Sequence, residues 1–186
     1  MRKLWALLYV AVLFLNSCDF ADKRESEGKK KLGLSITNVV RPSGETDEMP
    51  QKYNEDAADD PAVWYNKKDS TAYIFGTDKK GGIARYSMDG KELNYYAVGN
   101  INNIDIRKDV QIGLDTVSVI AGSDRSFQGV ILAELMNDGS IDESSIIRFK
   151  TSIKGDVYGF CLYHNPYSKK LYALVNSKDG ELESWE

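Results

Sequence analysis

The chain has 186 residues, a length that suits about one domain. Its formal charge of -4, from 24 basic and 28 acidic residues, argues against a nucleic-acid-binding protein, because such proteins are more often basic. Any anionic ligand must therefore meet local basic clusters or bound cations. The single histidine excludes a histidine-rich zinc site and argues against histidine-based catalysis.

The first predicted element is a leader peptide. A positively charged start precedes an apolar run of 12 residues, Leu4 to Leu15, which is too short to span a bilayer as an ordinary helix. Ser17 and Cys18 follow as in a lipobox, at which bacteria cleave a lipoprotein and acylate the new N-terminal cysteine. We expect residues 1–17 to be a lipoprotein signal peptide and Cys18 to anchor an exported protein in a membrane, in the periplasm or at the cell surface. A plain secretory peptide with an incidental cysteine is the alternative.

The next segment, residues 18–50, is polar and loosely patterned, and predicts a flexible tether before a folded domain over residues 51–186. Within it, residues 32–40 could form a short strand. Lipidation of Cys18 would leave Cys161 as the single free thiol, so no disulfide framework is expected. Cys161 is interpreted as a buried strand residue.

In the folded domain, strands and turns alternate without helical periodicity. Asp89-Gly90 and Asp138-Gly139 predict hairpin turns, because glycine accepts the positive φ that tight turns need. The predicted strands form two sets of four and one of three: residues 62–65, 72–76, 82–86 and 94–97, then 104–107, 116–121, 130–135 and 146–149, then 157–163, 171–175 and 181–185.

This pattern repeats along the chain. The two Asp-Gly turns start 49 residues apart, and a basic residue follows the second strand of each set, at Lys79, Arg125 and Lys178. Four short strands for every ~40–50 residues is the period of a propeller blade. We predict an all-β fold, a β-propeller of four-stranded antiparallel blades, with a β-sandwich as the alternative. Equivalent positions of successive blades share one rim, so the three basic residues should face a multiply charged anion.

Five motifs, in this order, resemble those of the β-propeller phytases. They are DDPAVW from Asp59, DKKGGIARYSMDGK from Asp78, NNIDIR from Asn102, SDRS from Ser123 and DVYGFCLYH from Asp156. The resemblance covers about residues 58–186. It implies a monomeric, calcium-dependent, 3-phytase-like hydrolase that releases phosphate from phytate (myo-inositol hexakisphosphate). It also implies a six-bladed propeller, of which this chain holds about three blades as a truncated domain.

The resemblance also assigns roles to individual residues. The phosphate-binding residues are Lys79, Lys80, Arg125, Tyr158 and Lys178. The calcium ligands are Asp59, Asp60, Asn102, Asn103 and Asp105. Asp179 joins Lys79, Arg125, Tyr158 and Lys178 as a catalytic residue, although the family usually carries the longer glutamate there. Asp124 stands where asparagine is common, and its charge is expected to weaken phosphate binding. Taken alone, Asp59-Asp60 and Asn102-Asn103 read as ordinary polar turns.

The resemblance implies a mechanism in which calcium neutralises substrate phosphates and holds the attacking water, while a carboxylic acid protonates the leaving inositol oxygen. The family's acid and several calcium ligands lie in later blades, so the 186-residue chain alone is expected to aggregate or to be inactive. One alternative is a non-catalytic surface lipoprotein propeller that binds phosphorylated or acidic ligands. A calcium-dependent lactonase is another, although a neutral lactone does not need so many cations.

Overall fold

The computed structural model describes residues 41–49 and 56–186. The secondary structure of these residues consists of eleven strands, and they contain no helix long and apolar enough to cross a membrane. The predicted signal peptide (1–17), Cys18 and the strand suggested for residues 32–40 lie outside the described residues and stay predictions. The strands are β1 Ala58–Tyr65, β2 Ala72–Asp78, β3 Gly82–Ser87, β4 Glu92–Tyr96, β5 Ile101–Ile112, β6 Asp115–Asp124, β7 Gly129–Leu135, β8 Ile141–Lys150, β9 Val157–His164, β10 Leu171–Ser177 and β11 Leu182–Trp185.

The strands form three antiparallel sheets in which chain neighbours pair with each other. The orders are β1-β2-β3-β4, β5-β6-β7-β8 and β9-β10-β11. This confirms the predicted all-β fold and its four-stranded antiparallel blades, as part of a β-propeller. Several observed strands are longer than predicted. In particular, β5 begins at Ile101, so Asn102 and Asn103 lie within a strand and not in a turn.

The first strands of the three sheets are neighbours, as the innermost strands around a propeller axis are. In β1, the Asp60 carboxylate accepts a hydrogen bond from the Ile104 N–H of β5 at 3.0 Å. In β5, the Asp105 carboxylate accepts one from the Leu162 N–H of β9 at 2.9 Å. Each pair of successive sheets is therefore linked by a carboxylate near the axis.

The hydrophobic core lies between successive sheets. Trp64 and Phe75 of the first sheet belong to the same buried cluster as Ile120 of the second. A second cluster joins Val119 of the second sheet to Leu162 of the third. Burying both faces of the second sheet in this way explains its long runs of buried residues, since each face packs on a neighbouring blade.

An irregularity recurs in the first hairpin of every sheet, close to the start of its first strand. The pairing shifts between Ala58 and Pro61 in β1 and between Ile101 and Ile104 in β5. In the third sheet it shifts on β10, between Val175 and Ser177. Such bulges redirect side chains and are common next to binding sites. The bulge in β1 allows Asp59 and Asp60 to lie inside a strand, although their local sequence is typical of a turn.

One sequence-based expectation differs from the structure. Cys161 is exposed, so the prediction that it is buried was wrong. Side chains alternate along a strand, and because Leu162 enters the core, Cys161 faces the other side. Gly44–Glu186 form one compact unit, and the predicted tether (18–50) and domain (51–186) bounds stay predictions. The segment that starts this unit contacts the first sheet. In that segment, Asp47 forms an ion pair with Lys91 on the β3–β4 hairpin at 2.9 Å.

Candidate active site

Predicted phosphate-binding residues from all three sheets surround one open cavity of about 310 Å³. It lies at the end of the sheets where each second strand ends. The structure therefore brings together side chains that are up to about a hundred positions apart in sequence. The lining residues are Asp56, Lys79, Lys80, Asn102, Arg125, Tyr158 and Lys178.

The three basic residues that follow the second strands occupy equivalent positions in the three sheets. In each case the backbone N–H donates to the carbonyl of the residue immediately before the sheet. This repeated hydrogen bond fixes the start of the turn that carries each cation. The pairs are Lys79 to Ala57 at 3.0 Å, Arg125 to Asn100 at 3.0 Å and Lys178 to Asp156 at 3.4 Å.

Lys79 is a cavity cation in direct contact with an acid. Its ammonium donates to the Asp56 carboxylate at 2.8 Å, and the lysine side chain is only 18% exposed whereas that of Asp56 is 83% exposed. This hydrogen bond raises the pKa of Lys79 above its ordinary value; partial burial opposes the rise, and the nearby charge of Asp59 adds to it. Lys79 is therefore a firmly protonated cation, for which an anionic ligand must compete with Asp56.

Lys178 and Arg125 are held less tightly. The Lys178 ammonium lies 4.9 Å from the centroid of the Tyr158 ring, within cation–π range. Tyr158 is fixed by its backbone carbonyl, which accepts the Ser123 hydroxyl at 2.6 Å. Within the part of the chain that the structure describes, no acid pairs with the Arg125 guanidinium. Both cations can thus reorient toward a ligand in the cavity.

Asp179, predicted as a catalytic residue, follows Lys178 but does not line the cavity. Its backbone N–H donates to the Ser177 hydroxyl at 3.2 Å, and its carboxylate lies against Gly155. A β-carbon on Gly155 would overlap that carboxylate, so the glycine is what allows it to lie there. The structure places Asp179 next to the site, and among the described residues its carboxylate forms no hydrogen bond or ion pair with the other predicted catalytic side chains.

The predicted calcium ligands on β1 and β5 meet around one hydroxyl. Thr77 Oγ1 accepts the Asp60 N–H at 2.8 Å and donates to the Asn102 carbonyl at 3.0 Å. Asn102 is 1% exposed, and its side-chain oxygen Oδ1 has no hydrogen-bond donor among the described residues. A buried amide oxygen without a donor suits Ca²⁺, which prefers hard oxygen ligands.

Two further members of the predicted calcium set, Asn103 and Asp105, differ in how far their side-chain oxygens are already engaged. The Asn103 side-chain oxygen accepts the Asn102 amide at 2.9 Å. Asp105 forms an ion pair with Arg107, and its second oxygen accepts the Leu162 N–H. Among residues 41–49 and 56–186, no three His, Cys, Asp or Glu side chains converge as a metal site. The residues that fit are therefore Asp59, Asp60 and the two asparagines, with Asp105 engaged elsewhere.

A family model described as Phytase matches residues 8–186. The chain belongs to the phytase family. It is 35% identical over 147 residues to the 3-phytase of Bacillus subtilis (strain 168), an alignment that covers 76% of this chain and 38% of that protein. The chain thus spans well under half the length of this phytase.

One lining residue of this phytase-family cavity was not anticipated from the sequence. Asp56 precedes Asp59-Asp60 in an acidic stretch, where solvated carboxylates are common and a single one carries little signal. Its contact with Lys79 depends on a turn 23 positions away. A pairing at that separation is decided by how the sheet folds, and local pattern does not reveal it.

Proposed function

We propose that this member of the phytase family is a calcium-dependent phosphomonoester hydrolase that releases phosphate from phytate. The observation that carries the proposal is the cavity in which Lys79, Lys80, Arg125 and Lys178 converge on an otherwise acidic chain. Four cations in about 310 Å³ suit a ligand with several phosphate groups better than a neutral one. The 3-phytase name of the Bacillus relative agrees with this substrate.

In this proposal, the cations bind phosphate oxygens and stabilise the negative charge of the transition state. Arg125 has a planar guanidinium that can hold two oxygens at once, whereas Lys79 and Lys178 act as point charges. Tyr158 lines the same cavity, and its hydroxyl can donate a hydrogen bond to a phosphate oxygen. Since Lys79, Arg125 and Lys178 lie on turns fixed by backbone hydrogen bonds, phosphate binding requires their side chains to reorient but not their backbone to move.

We assign calcium binding to Asp59, Asp60, Asn102 and Asn103. The support is their oxygen-donor chemistry and the buried Asn102 oxygen without a donor. Bound calcium would supply positive charge to the substrate phosphates and lower the pKa of the attacking water. Asp105 is left out of this set, because Arg107 and the Leu162 N–H already engage its carboxylate.

The test is phosphate release from phytate by the full-length protein, with calcium and after chelation. We expect release only with calcium, and a loss of kcat/KM by about 10²–10³-fold in Lys79→Ala and in Arg125→Ala. Lys68→Ala is the matched control. It removes an exposed lysine from the β1–β2 turn, at the opposite end of the same sheet, and should retain full activity.

The result also separates the alternatives. Phosphate release that is unaffected by chelation would support the phosphatase activity but contradict its calcium dependence. No release from folded, calcium-loaded protein that still binds phytate would favour a propeller that captures phosphorylated ligands without turnover. One feature favours that second reading: Asp56 is the one carboxylate residue among those lining the described cavity, and it is paired with Lys79.

A further inference from the structure

The residue before each of the three equivalent cations is a buried hydrogen-bond acceptor. Asp78 precedes Lys79, Asp124 precedes Arg125, and Ser177 precedes Lys178. The exposures of Asp78, Asp124 and Ser177 are 0%, 1% and 2%. Burying a carboxylate costs free energy unless the group is well paired. The two buried carboxylates, one beneath each of two cation-bearing turns, therefore need a physical reason.

Asp78 connects its turn to the outermost strand of the first sheet. One carboxylate oxygen accepts the Lys80 N–H at 2.8 Å, within the turn that carries the two lysines. The other accepts the Tyr95 hydroxyl of β4 at 2.7 Å. The carboxylate thus ties the position of the lysine turn to a strand that does not itself contact the cavity.

Asp124 makes the same two-sided connection in the second sheet. One oxygen accepts the N–H groups of Ser126 at 2.9 Å and Phe127 at 3.3 Å, in the turn that begins with Arg125. The other lies 3.7 Å from the Arg148 Nε of β8, the outermost strand. Gly99 makes room for it, since a β-carbon there would lie 2.5 Å from the carboxylate.

The third sheet has only half of this arrangement. The Ser177 hydroxyl accepts the N–H groups of Asp179 at 3.2 Å and Glu181 at 3.1 Å. A hydroxyl therefore suffices to close the turn. What the two carboxylates add is the second, charge-assisted contact to the outer strand, and such bonds are stronger than neutral ones.

We propose that Asp78 and Asp124 are positioning residues for phosphate binding, which hold the Lys79-Lys80 and Arg125 turns in place by bracing them against β4 and β8. This inference rests on the proposed function, because it concerns the same cation cavity. Neither side chain lines the cavity, so both act through the cations that follow them.

Tyr95→Phe is the sharpest test of the Asp78 brace. It deletes only the hydroxyl that Asp78 accepts, and the probe is inorganic phosphate, measured by calorimetry on the full-length protein well below its melting temperature. We expect the Kd to rise about fivefold, the effect of one lost buried hydrogen bond. In an Asp78→Asn background the same change should add little, because the two residues act as one unit.

Tyr96→Phe is the matched control. Tyr96 is the next residue of β4, and its hydroxyl accepts the Ile141 N–H at 3.2 Å, away from the cation turns. We expect Tyr96→Phe to lower the melting temperature without changing the Kd. If the role of Tyr95 were purely structural, Tyr95→Phe would, like Tyr96→Phe, lower the melting temperature and leave the Kd for phosphate unchanged.

Two variants test the Asp124 brace. Asp124→Ala removes the acceptor for the Ser126 and Phe127 amides and should weaken phosphate binding. Asp124→Asn keeps an acceptor oxygen for these amides but loses the charge-assisted contact to Arg148, so its phosphate affinity should also fall, by less than that of Asp124→Ala. If both Tyr95→Phe and Asp124→Ala bound phosphate with wild-type affinity, the positioning role of Asp78 and Asp124 would be overturned. The proposed function would be unaffected by that result. A wild-type protein that does not bind phosphate would overturn the proposed function, and the inference with it.

Discussion

At the scale of single residues, the Asp56–Lys79 pair determines how the cavity responds to pH. Asp56 raises the pKa of Lys79 above 10.5 through its hydrogen bond, so the ammonium persists until the pH exceeds that value. The proposed phosphate binding through Lys79 is therefore expected to persist at neutral pH and to be lost only as the pH rises through the raised pKa of Lys79. We expect Asp56→Asn to move this alkaline loss to lower pH. It should also strengthen binding at neutral pH by up to about fivefold, since a competing exposed carboxylate is removed. The measurement is phosphate affinity across the alkaline range.

Two comparisons make the Asp56→Asn experiment specific. Lys79→Arg should abolish the alkaline loss, because a guanidinium does not deprotonate in this range. High salt should reduce the gain in affinity, since an exposed charge is screened. An alkaline loss at the same pH in wild type and Asp56→Asn would show that Asp56 does not control Lys79.

At the scale of elements, the β7–β8 turn shows how a hairpin packs on the neighbouring sheet. Gly139 has a φ of +74°, and a β-carbon there would lie 2.5 Å from the Tyr73 ring of β2. Gly180 also has a positive φ, +90°, but has nothing within 4 Å. We expect Gly139→Ala to lower the free energy of unfolding by about 2–3 kcal/mol and Gly180→Ala by about 1 kcal/mol. Denaturant unfolding measures both. Equal losses would mean that backbone strain, and not crowding against Tyr73, sets the cost.

At the scale of the whole molecule, hydroxyl groups on second strands join each sheet to the next. Thr77 links Asp60 to Asn102, and Ser123 links β6 to Tyr158. Thr77→Val keeps the volume but leaves two buried backbone groups without a partner, so the free energy of unfolding should fall by about 1–3 kcal/mol. Thr77→Ser retains the hydroxyl and should cost less. The order of the two melting temperatures checks this, and a more stable valine variant would contradict it.

Much of the fold could be predicted because its signals are local. Alternating apolar residues and Asp-Gly turns marked all eleven strands, and their period indicated blades. The cation cavity was also predictable, since equivalent turn positions of a propeller share a rim. Strand ends were predicted less well. Bulges carry β1 and β5 through polar residues that, taken alone, resemble turns.

The sequence by itself determined the sheets, their order and the cations that meet in the cavity, because each depends on spacing along the chain. Only the tertiary structure decided the partners of those groups. It paired Asp56 with Lys79, engaged Asp105 with the Leu162 N–H, exposed Cys161 and placed Asp78 and Asp124 under the cation turns. These outcomes depend on which side chains meet across strands and between sheets. A hydrogen bond over such separations follows from packing, and neighbouring residues in the sequence do not encode it.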